Sequence, residues 1–311
     1  MLKQLISRLI TSLPVLIGVI LVGFILIQIA PSDPAAVIGG ASATPEEIAA
    51  IREELGLNQP VVYQLALYVW RLFHLDLGRS MISGQLVSDE IAATVGPTIE
   101  LMLASVIWAV PLAIALGTIA AYRRGKLIDR IVMLLSVMGV SLPVFWVGML
   151  LIQYIGGAGL LPYLGRSGPI WTWDGFLAII LPAITLGSVL IGPVARITRT
   201  AVIETLASDY VRTARAKGAS ESYVLCRHAL RNALLPIVTL VGLQVGQLLG
   251  GAVVTEQIFS WPGVGRMAVG AIFSADFPLA QGAILVTALG FIVINLLIDM
   301  LYVYLDPRGG K

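Results

Sequence analysis

The sequence predicts an all-α, polytopic membrane protein with six transmembrane helices, and three observations carry that prediction. Of 311 residues, 58% are hydrophobic and only 12% are charged, about half the ~25% charge of an ordinary soluble domain. So few charges could not cover the surface of a soluble protein this long. The apolar residues fall in long continuous runs rather than in alternating ten-residue segments, which argues against a β-barrel. Six of the runs reach the roughly 20 residues that a helix needs to cross the hydrocarbon core. A net charge of +2 gives no reason to expect nucleic acid as a partner. The one cysteine, Cys226, leaves no internal disulfide framework and no cysteine-rich metal site.

The six stretches are Leu9–Ala30, Pro97–Tyr122, Ile131–Gly156, Leu177–Arg196, Ala233–Thr255 and Leu279–Tyr304. The first is too long for the apolar core of a signal peptide, and only Lys3 and Arg8 precede or enter it, so it is expected to be a retained anchor. Orientation follows the distribution of Lys and Arg between alternate loops. Fifteen of the 20 basic residues fall in the N-terminus, Arg123–Arg130, Arg196–Arg231 and the C-terminus; five fall in the other three connections. Both termini are therefore expected on the cytoplasmic side, as an even number of crossings requires. This divides the chain into residues 1–96, an anchor helix with an external segment, and residues 97–311, a five-helix core with a cytoplasmic loop at about 196–232.

Prolines 14, 111, 143, 182, 193 and 236 fall inside the spans, where each removes a backbone donor and bends its helix; such bends are tolerated in a bundle whose neighbours satisfy the freed carbonyls, and simple packing irregularity is the other reading. Gly242, Gly246 and Gly250 recur at four-residue spacing and permit close helix approach. The polar residues of the spans are mostly amides, Gln28, Gln153, Gln244, Gln247 and Asn295; these either hydrogen-bond a neighbouring helix or line a wet pathway. Glu100, Glu256 and Asp299 sit near span ends, within reach of water or headgroups. No acid lies at mid-span to suggest proton coupling, and no internal repeat of a secondary-transporter kind is evident.

The segment Pro31–Gly96 is too long for a plain loop. Thr44-Pro45-Glu46-Glu47 forms a capping box with proline at the first helical position, predicting a helix to about Leu55 that stops at Gly56. A second helix is expected from near Pro60 to about Leu75. It is apolar on almost every face, carries Tyr63, Tyr68 and Trp70, and suits the membrane interface or a groove against the spans better than a seventh crossing.

Catalytic signatures are missing: there is no H-E-x-x-H, G-x-S-x-G or P-loop pattern. The two histidines, His74 and His228, fall on opposite sides of the expected membrane and cannot share a metal or catalytic centre. No cofactor and no metal are expected. Six spans without a visible energy source point to energy supplied by a partner.

The most informative segment is Arg196–Arg231, which is long, basic and helix-permissive. A helix capped by Ser208 or Asp209 would align Tyr210, Ala214 and Lys217 on one face, and Thr213 with Ala216 on another. Its small residues, Ala214, Ala216 and Gly218, would let it sit deep in a groove of another protein; a basic loop drawn to anionic lipid is the alternative.

The stretch Asp209–Ile237, DYVRTARAKGASESYVLCRHALRNALLPI, closely resembles the cytoplasmic loop of permease subunits in bacterial peptide-type ABC importers. Further elements agree along the whole chain. Ala30-Pro31-Ser32-Asp33-Pro34 resembles the family's P-G-D-P, with serine for glycine. Leu55-Gly56-Leu57-Asn58-Gln59-Pro60 resembles L-G-L-D-x-P. Leu75-Asp76-Leu77-Gly78-Arg79-Ser80 resembles G-D-x-G-x-S, with leucine for the first glycine. Phe259-Ser260-Trp261-Pro262-Gly263-Val264-Gly265-Arg266 matches F-x-W-P-G-x-G-R. Asp276-Phe277-Pro278 corresponds to D-Y-P, and Asp306-Pro307-Arg308 to a D-P-R tail.

The resemblance implies a type I importer permease fold, a second homologous permease subunit, ABC ATPase subunits that hydrolyse the ATP, and a periplasmic or extracellular solute-binding protein, all assembled at the inner membrane. It implies that the loop helix couples this chain to an ATPase. Aligned on Gly218, the general E-A-A-x-x-x-G signature is reduced here to Arg212, Thr213 and Ala214, without the glutamate. Tyr210, Thr213, Ala214, Ala216 and Gly218 are the implied docking positions. His228 is expected to cap or pack this region, a proton-sensing role being the alternative. Trp261, Pro262, Gly263 and Gly265 are candidates for a gate or binding-protein contact; a rigid Pro-Gly turn anchored by an interfacial tryptophan is the other reading. The substrate class implied is a short peptide, a glutathione-like peptide or a nickel chelate. A self-contained channel or secondary transporter would explain the spans without the coupling-type loop, and a structural membrane protein would explain the packing glycines alone.

Overall fold

The computed structural model of the chain describes residues 2–29, 33–40, 43–54 and 56–305. Within them the chain is helical. The elements are α1 (Leu2–Ile29), α2 (Pro34–Gly39), α3 (Pro45–Glu54), α4 (Val61–Phe73), α5 (Val87–Tyr122), α6 (Leu127–Ser141), α7 (Val144–Leu151), α8 (Trp173–Leu206), α9 (Asp209–Ala216), α10 (Glu221–Tyr223), α11 (Arg231–Ile258), α12 (Val264–Phe273) and α13 (Phe277–Leu305). Two π-helical segments, Ile152–Gly156 after α7 and Val224–Leu230 before α11, extend their neighbours.

By length and composition, four described helices can cross a bilayer: Val87–Tyr122, Trp173–Leu206, Glu221–Ile258 and Phe277–Ile298. The expected third span, Ile131–Gly156, is not one helix. It breaks at Leu142–Pro143, where Pro143 starts α7 in the extended conformation that proline favours at a helix entry. Counted as one bent crossing, α6 with α7 makes a fifth span. The first stretch is helical as expected, with its described apolar part at Ile10–Ile25. The fourth span also departs from expectation: α8 runs ten residues beyond Arg196, so the first part of the expected 196–232 loop is helix, and only Ala207–Ser220, with α9 inside it, projects as a connection.

Two compact units account for the chain. The first gathers Ile99–Trp261 with the chain from Val293 onward. Its centre is α8, which is far more enclosed than the other long helices. Helix α8 packs on α6, α7 and α11, its pairing with α11 being the most extensive. Small residues make this possible. A Cβ on Gly117 of α5 would lie 2.4 Å from the Ala195 carbonyl oxygen, and one on Gly187 would lie 2.6 Å from Trp108 Nε1. Trp108 uses that proximity to donate to the Ala183 carbonyl at 2.9 Å. Of the spaced glycines, Gly242 meets Ile298, where a Cβ would come within 2.2 Å of Cγ2, whereas Gly250 has open space. Hydroxyls inside the helices bond back one turn, as Ser105 to Leu101, Thr185 to Leu181 and Thr198 to Val194, so they are satisfied without needing a neighbour.

The second unit gathers Leu2–Thr98 with Pro262–Ile292. The capping box forms as predicted: Thr44 N donates to Glu47 Oε2 at 2.7 Å, and Glu47 N donates to Thr44 Oγ1 at 3.3 Å. Gly56, at φ 69°, ends the helix with the paired bonds Gly56 N to Glu53 O and Leu57 N to Arg52 O; Leu55 itself lies outside the described residues. Helix α4 buries none of its residues, leaving Val62, Trp70 and Phe73 strongly exposed, as an interfacial helix would. Gln28 of α1 donates to Gln64 of α4 at 3.0 Å. Gln281 of α13, which the sequence gives no reason to single out, donates to the Gly23 carbonyl at 2.9 Å.

Gly117→Ala should lower the melting temperature of the purified chain, because a backbone carbonyl cannot step aside; overpacking of this kind costs about 1–3 kcal/mol. Gly250→Ala, with nothing to meet, should leave it unchanged or raised. Equal melting temperatures for the two variants would contradict the close α5–α8 approach.

Candidate functional site

Helix α9 is built to stand out from the first unit. Ser208 occupies the N-cap position with extended backbone, but its hydroxyl donates to Thr205 O at 2.6 Å instead of capping α9. Lys217 and Gly218 close the other end: Gly218 lies at φ 84°, Gly218 N donates to Arg215 O, and Ala219 N donates to Ala214 O. This is the glycine-terminated helix end that the TARAKG sequence calls for. Val211 is wholly buried and seats α9 against its supports, α8 and the π-helical segment. Arg215 crosses to Glu221 with bonds at 2.8 and 3.1 Å, a contact that raises the pKa of the Arg215 guanidinium above its ordinary value.

Of the five expected docking positions, four lie on α9 and Gly218 lies just past its end. Tyr210, Thr213, Ala216 and Gly218 are exposed and Ala214 is half-buried. The expected side-by-side alignment holds for the helix proper, except that Lys217 falls at the cap rather than in the helix. His228 packs rather than stands alone: its ring lies 5.4 Å from that of Tyr223 and 6.4 Å from that of Tyr210. Asn232 Nδ2 donates to the Tyr210 hydroxyl at 2.7 Å. Asn232 was not singled out by sequence, and a tyrosine–asparagine contact 22 residues apart leaves no mark in either residue alone.

The other candidate group is divided by chain position: Trp261 falls in the first unit, and Pro262, Gly263 and Gly265 in the second. Trp261 belongs to the core of the first, wholly buried with Leu101, Ile179, Leu186 and Ala252. It is therefore not an interfacial anchor. The turn before it is tight: Ser260 has φ 52°, and Trp261 N donates to Glu256 O at 2.9 Å. Glu256 is itself fully enclosed, not open to water or headgroups as its place near a span end suggested. In the second unit, Gly263 and Gly265 are buried and Pro262 is exposed. Thr98 Oγ1 accepts from Val264 N at 2.9 Å, satisfying one free donor at the start of α12.

The second unit also joins two of the recognised elements. Asp76 Oδ1 accepts from Gly78 N at 2.9 Å, and Gly78 takes φ 79°. Ser80 then donates its hydroxyl to Asp276 Oδ2, while Asp276 Oδ1 accepts from Met81 N at 3.1 Å and from Leu279 N at 3.4 Å. Ser80 and Asp276 are both buried. The D-x-G-x-S and D-F-P elements thus form one knot, 196 residues apart in sequence. Asp33 caps α2 through Ala35 N and pairs with Arg52 of α3. Ala30, Pro31 and Ser32 of the first element, and the Asp306-Pro307-Arg308 tail, lie outside the described residues.

Comparison with known proteins places these elements in context. Residues 113–310 match the family described as binding-protein-dependent transport system inner membrane component. Residues 1–102 match the N-terminal family of the same transport-system membrane components. The glutathione transport system permease proteins GsiC of Escherichia coli (strain K12) and Salmonella typhi are each 42% identical to the chain over 308 residues, covering 99% of it and 98% of the relative.

Asp276→Ala should strand the Ser80 hydroxyl and the Met81 and Leu279 amides, at about 1–3 kcal/mol for each buried group left unpaired. The expected outcome is a lower melting temperature with faster proteolysis at Ile82–Gln85. Unchanged proteolysis at that loop would show that the knot does not hold it.

Proposed function

The chain belongs to the family of binding-protein-dependent transport system inner membrane components, and from that premise we propose that it is one of the two membrane-spanning subunits of an ATP-driven importer for a short, glutathione-like peptide. The observation that carries the substrate class is the end-to-end likeness to glutathione transport permeases. A second, homologous permease completes the path. ABC ATPase subunits hydrolyse the ATP, and an external solute-binding protein delivers the peptide.

The chain crosses the membrane six times, through α1, α5, the bent α6–α7 pair, α8, α11 and α13, with both termini and α9 in the cytoplasm. The excess of Lys and Arg in the connections assigned to that side supports this orientation. Tyr210, Thr213, Ala214, Ala216 and Gly218 dock α9 into a groove of an ATPase subunit. A helix presented on a buried valine, with small residues outward, supports the role. ATP-driven closure of the ATPases then shifts the spans between inward- and outward-facing states, by the difference in how each state binds the partner. In the turn after α11, Pro262 offers the exposed surface for a gate or binding-protein contact, and Gly263 and Gly265 shape it.

Ala214→Trp should reduce uptake of glutathione at least tenfold while the chain still reaches the membrane, because α9 can no longer enter its groove. Normal uptake at normal membrane abundance would remove α9 from the docking role. Purification of the native complex in mild detergent, with mass spectrometry of its companions, should find a second permease and P-loop ATPases; a chain that purifies alone and conducts solute in liposomes would overturn the importer reading.

A further inference from the structure

Helix α8 does not end at Arg196, where the sequence places the end of the span; it continues to Leu206, and only Ala207 and Ser208 separate it from α9. Within that extension Arg199 makes a two-point contact with Asp129, Nε to Oδ1 at 2.5 Å and Nη2 to Oδ2 at 2.8 Å. Asp129 lies in the first turn of α6 and is buried at 6% side-chain exposure. Its Oδ2 also accepts from Gly125 N at 2.9 Å, in the turn that joins α5 to α6. One carboxylate therefore ties three segments together: the α5–α6 turn, the start of α6 and the extension of α8. Nearby, Gly117 of α5 lies so close to Ala195 and Thr198 that no side chain could intervene.

From this geometry we propose that Asp129 and Arg199 are positioning residues that pass the movement of α9 to α6. The inference rests on the importer reading and deepens it by naming the joint. A planar guanidinium held at two points resists rotation as well as separation, and two helical turns, about 10 Å, separate Arg199 from the end of α8. A displacement of α9 along its own support therefore reaches α6 before it reaches the Leu142–Pro143 break. Beyond that break, α7 packs on both α8 and α11. The pair touches neither solute nor nucleotide; it keeps α6 in step with the docking helix.

The test uses the assembled complex with its ATPases and binding protein, and glutathione as the solute. Asp129→Asn, and separately Arg199→Lys, should leave ATP hydrolysis within about twofold of the parent but lower solute transported per ATP at least tenfold; the exchange of the two residues, Asp129→Arg with Arg199→Asp, should restore part of that ratio. Transport per ATP equal to the parent in either single variant overturns the proposal, since a merely supporting pair would lower abundance and leave the ratio alone. Should the variants fail to assemble, the parent complex decides. Spin labels at Leu127→Cys on α6 and Arg212→Cys on α9, in a Cys226→Ser background, should keep one distance with and without ATP, and a distance that changes through the cycle overturns the joint. If no ATPase accompanies the parent chain at all, it is the importer reading that fails, and that result is read before any variant is made.

Discussion

The first unit depends on the close approach of helices around α8. No hydrophobic effect draws two helices together inside lipid, because lipid tails are as apolar as leucine; packing contact and small residues must do it instead. Helix α8 meets that need with Gly175, Ala178, Ala183, Gly187, Gly192, Ala195 and Ala201 among its buried residues. Its neighbours reach its backbone: Gly117 touches the Ala195 carbonyl, and Trp108 bonds the Ala183 carbonyl. Two internal prolines, Pro182 and Pro193, are accommodated without ending the helix, as happens where surrounding helices leave no room for the chain to unwind.

Charge appears at both ends of α8 and in different company. Before its first turn, Arg166 holds Glu100 of α5 through two bonds of 2.9 Å. In its last turns, Arg199 holds Asp129 of α6. Either pair in mid-membrane would carry a large desolvation cost; Arg199 is the α8 residue that is paired in this way, in the part of the helix beyond Arg196. Beyond Arg196 the helix is held by the buried Ala201 and Val202, with Ile203 and Leu206 packed against them, and by the pairing of Arg199 with Asp129. The bare count of Lys and Arg treats Arg199 as an unpaired loop charge, yet it is a partner in the fold.

Much of this architecture was legible in the sequence because periodicity and capping are local. The α3 helix followed from Thr44, Pro45 and Glu47, its end from Gly56, and α9 from the DYVRTARAKG stretch with Gly218 at its close. Composition gave the class of protein before any motif. What escaped was non-local. Pro143 is one of six prolines in the expected spans, and nothing local distinguishes it from Pro182 or Pro193, which α8 absorbs. The enclosure of Glu256 and Trp261 depends on helices far along the chain. The Ser80–Asp276 knot joined two elements that had been recognised separately, and no spacing rule connects residues 196 positions apart. The candidate docking positions were legible as a group, since all lie within nine residues; their support by Asn232, His228 and Val211 was not.

The construction of α9 bears on how such a chain could accept work from outside itself. A helix of eight residues has little stability in water alone, so an isolated loop of this sequence would transmit nothing. Here the ends are fixed by the Gly218 turn and by the two-residue link to α8, the middle by Val211, and the flank by Arg215 with Glu221 and by Tyr210 with Asn232. Val211 faces the body of the unit, while Tyr210, Thr213, Ala216 and Gly218 are exposed. The division is what a lever tip requires. A soft tip would absorb a push by unfolding, at the cost of only a few exposed hydrogen bonds. In the proposed docking role, a tip fixed at its ends and seated on Val211 would pass displacement to the helix beneath, which among the four long described spans is the most deeply enclosed.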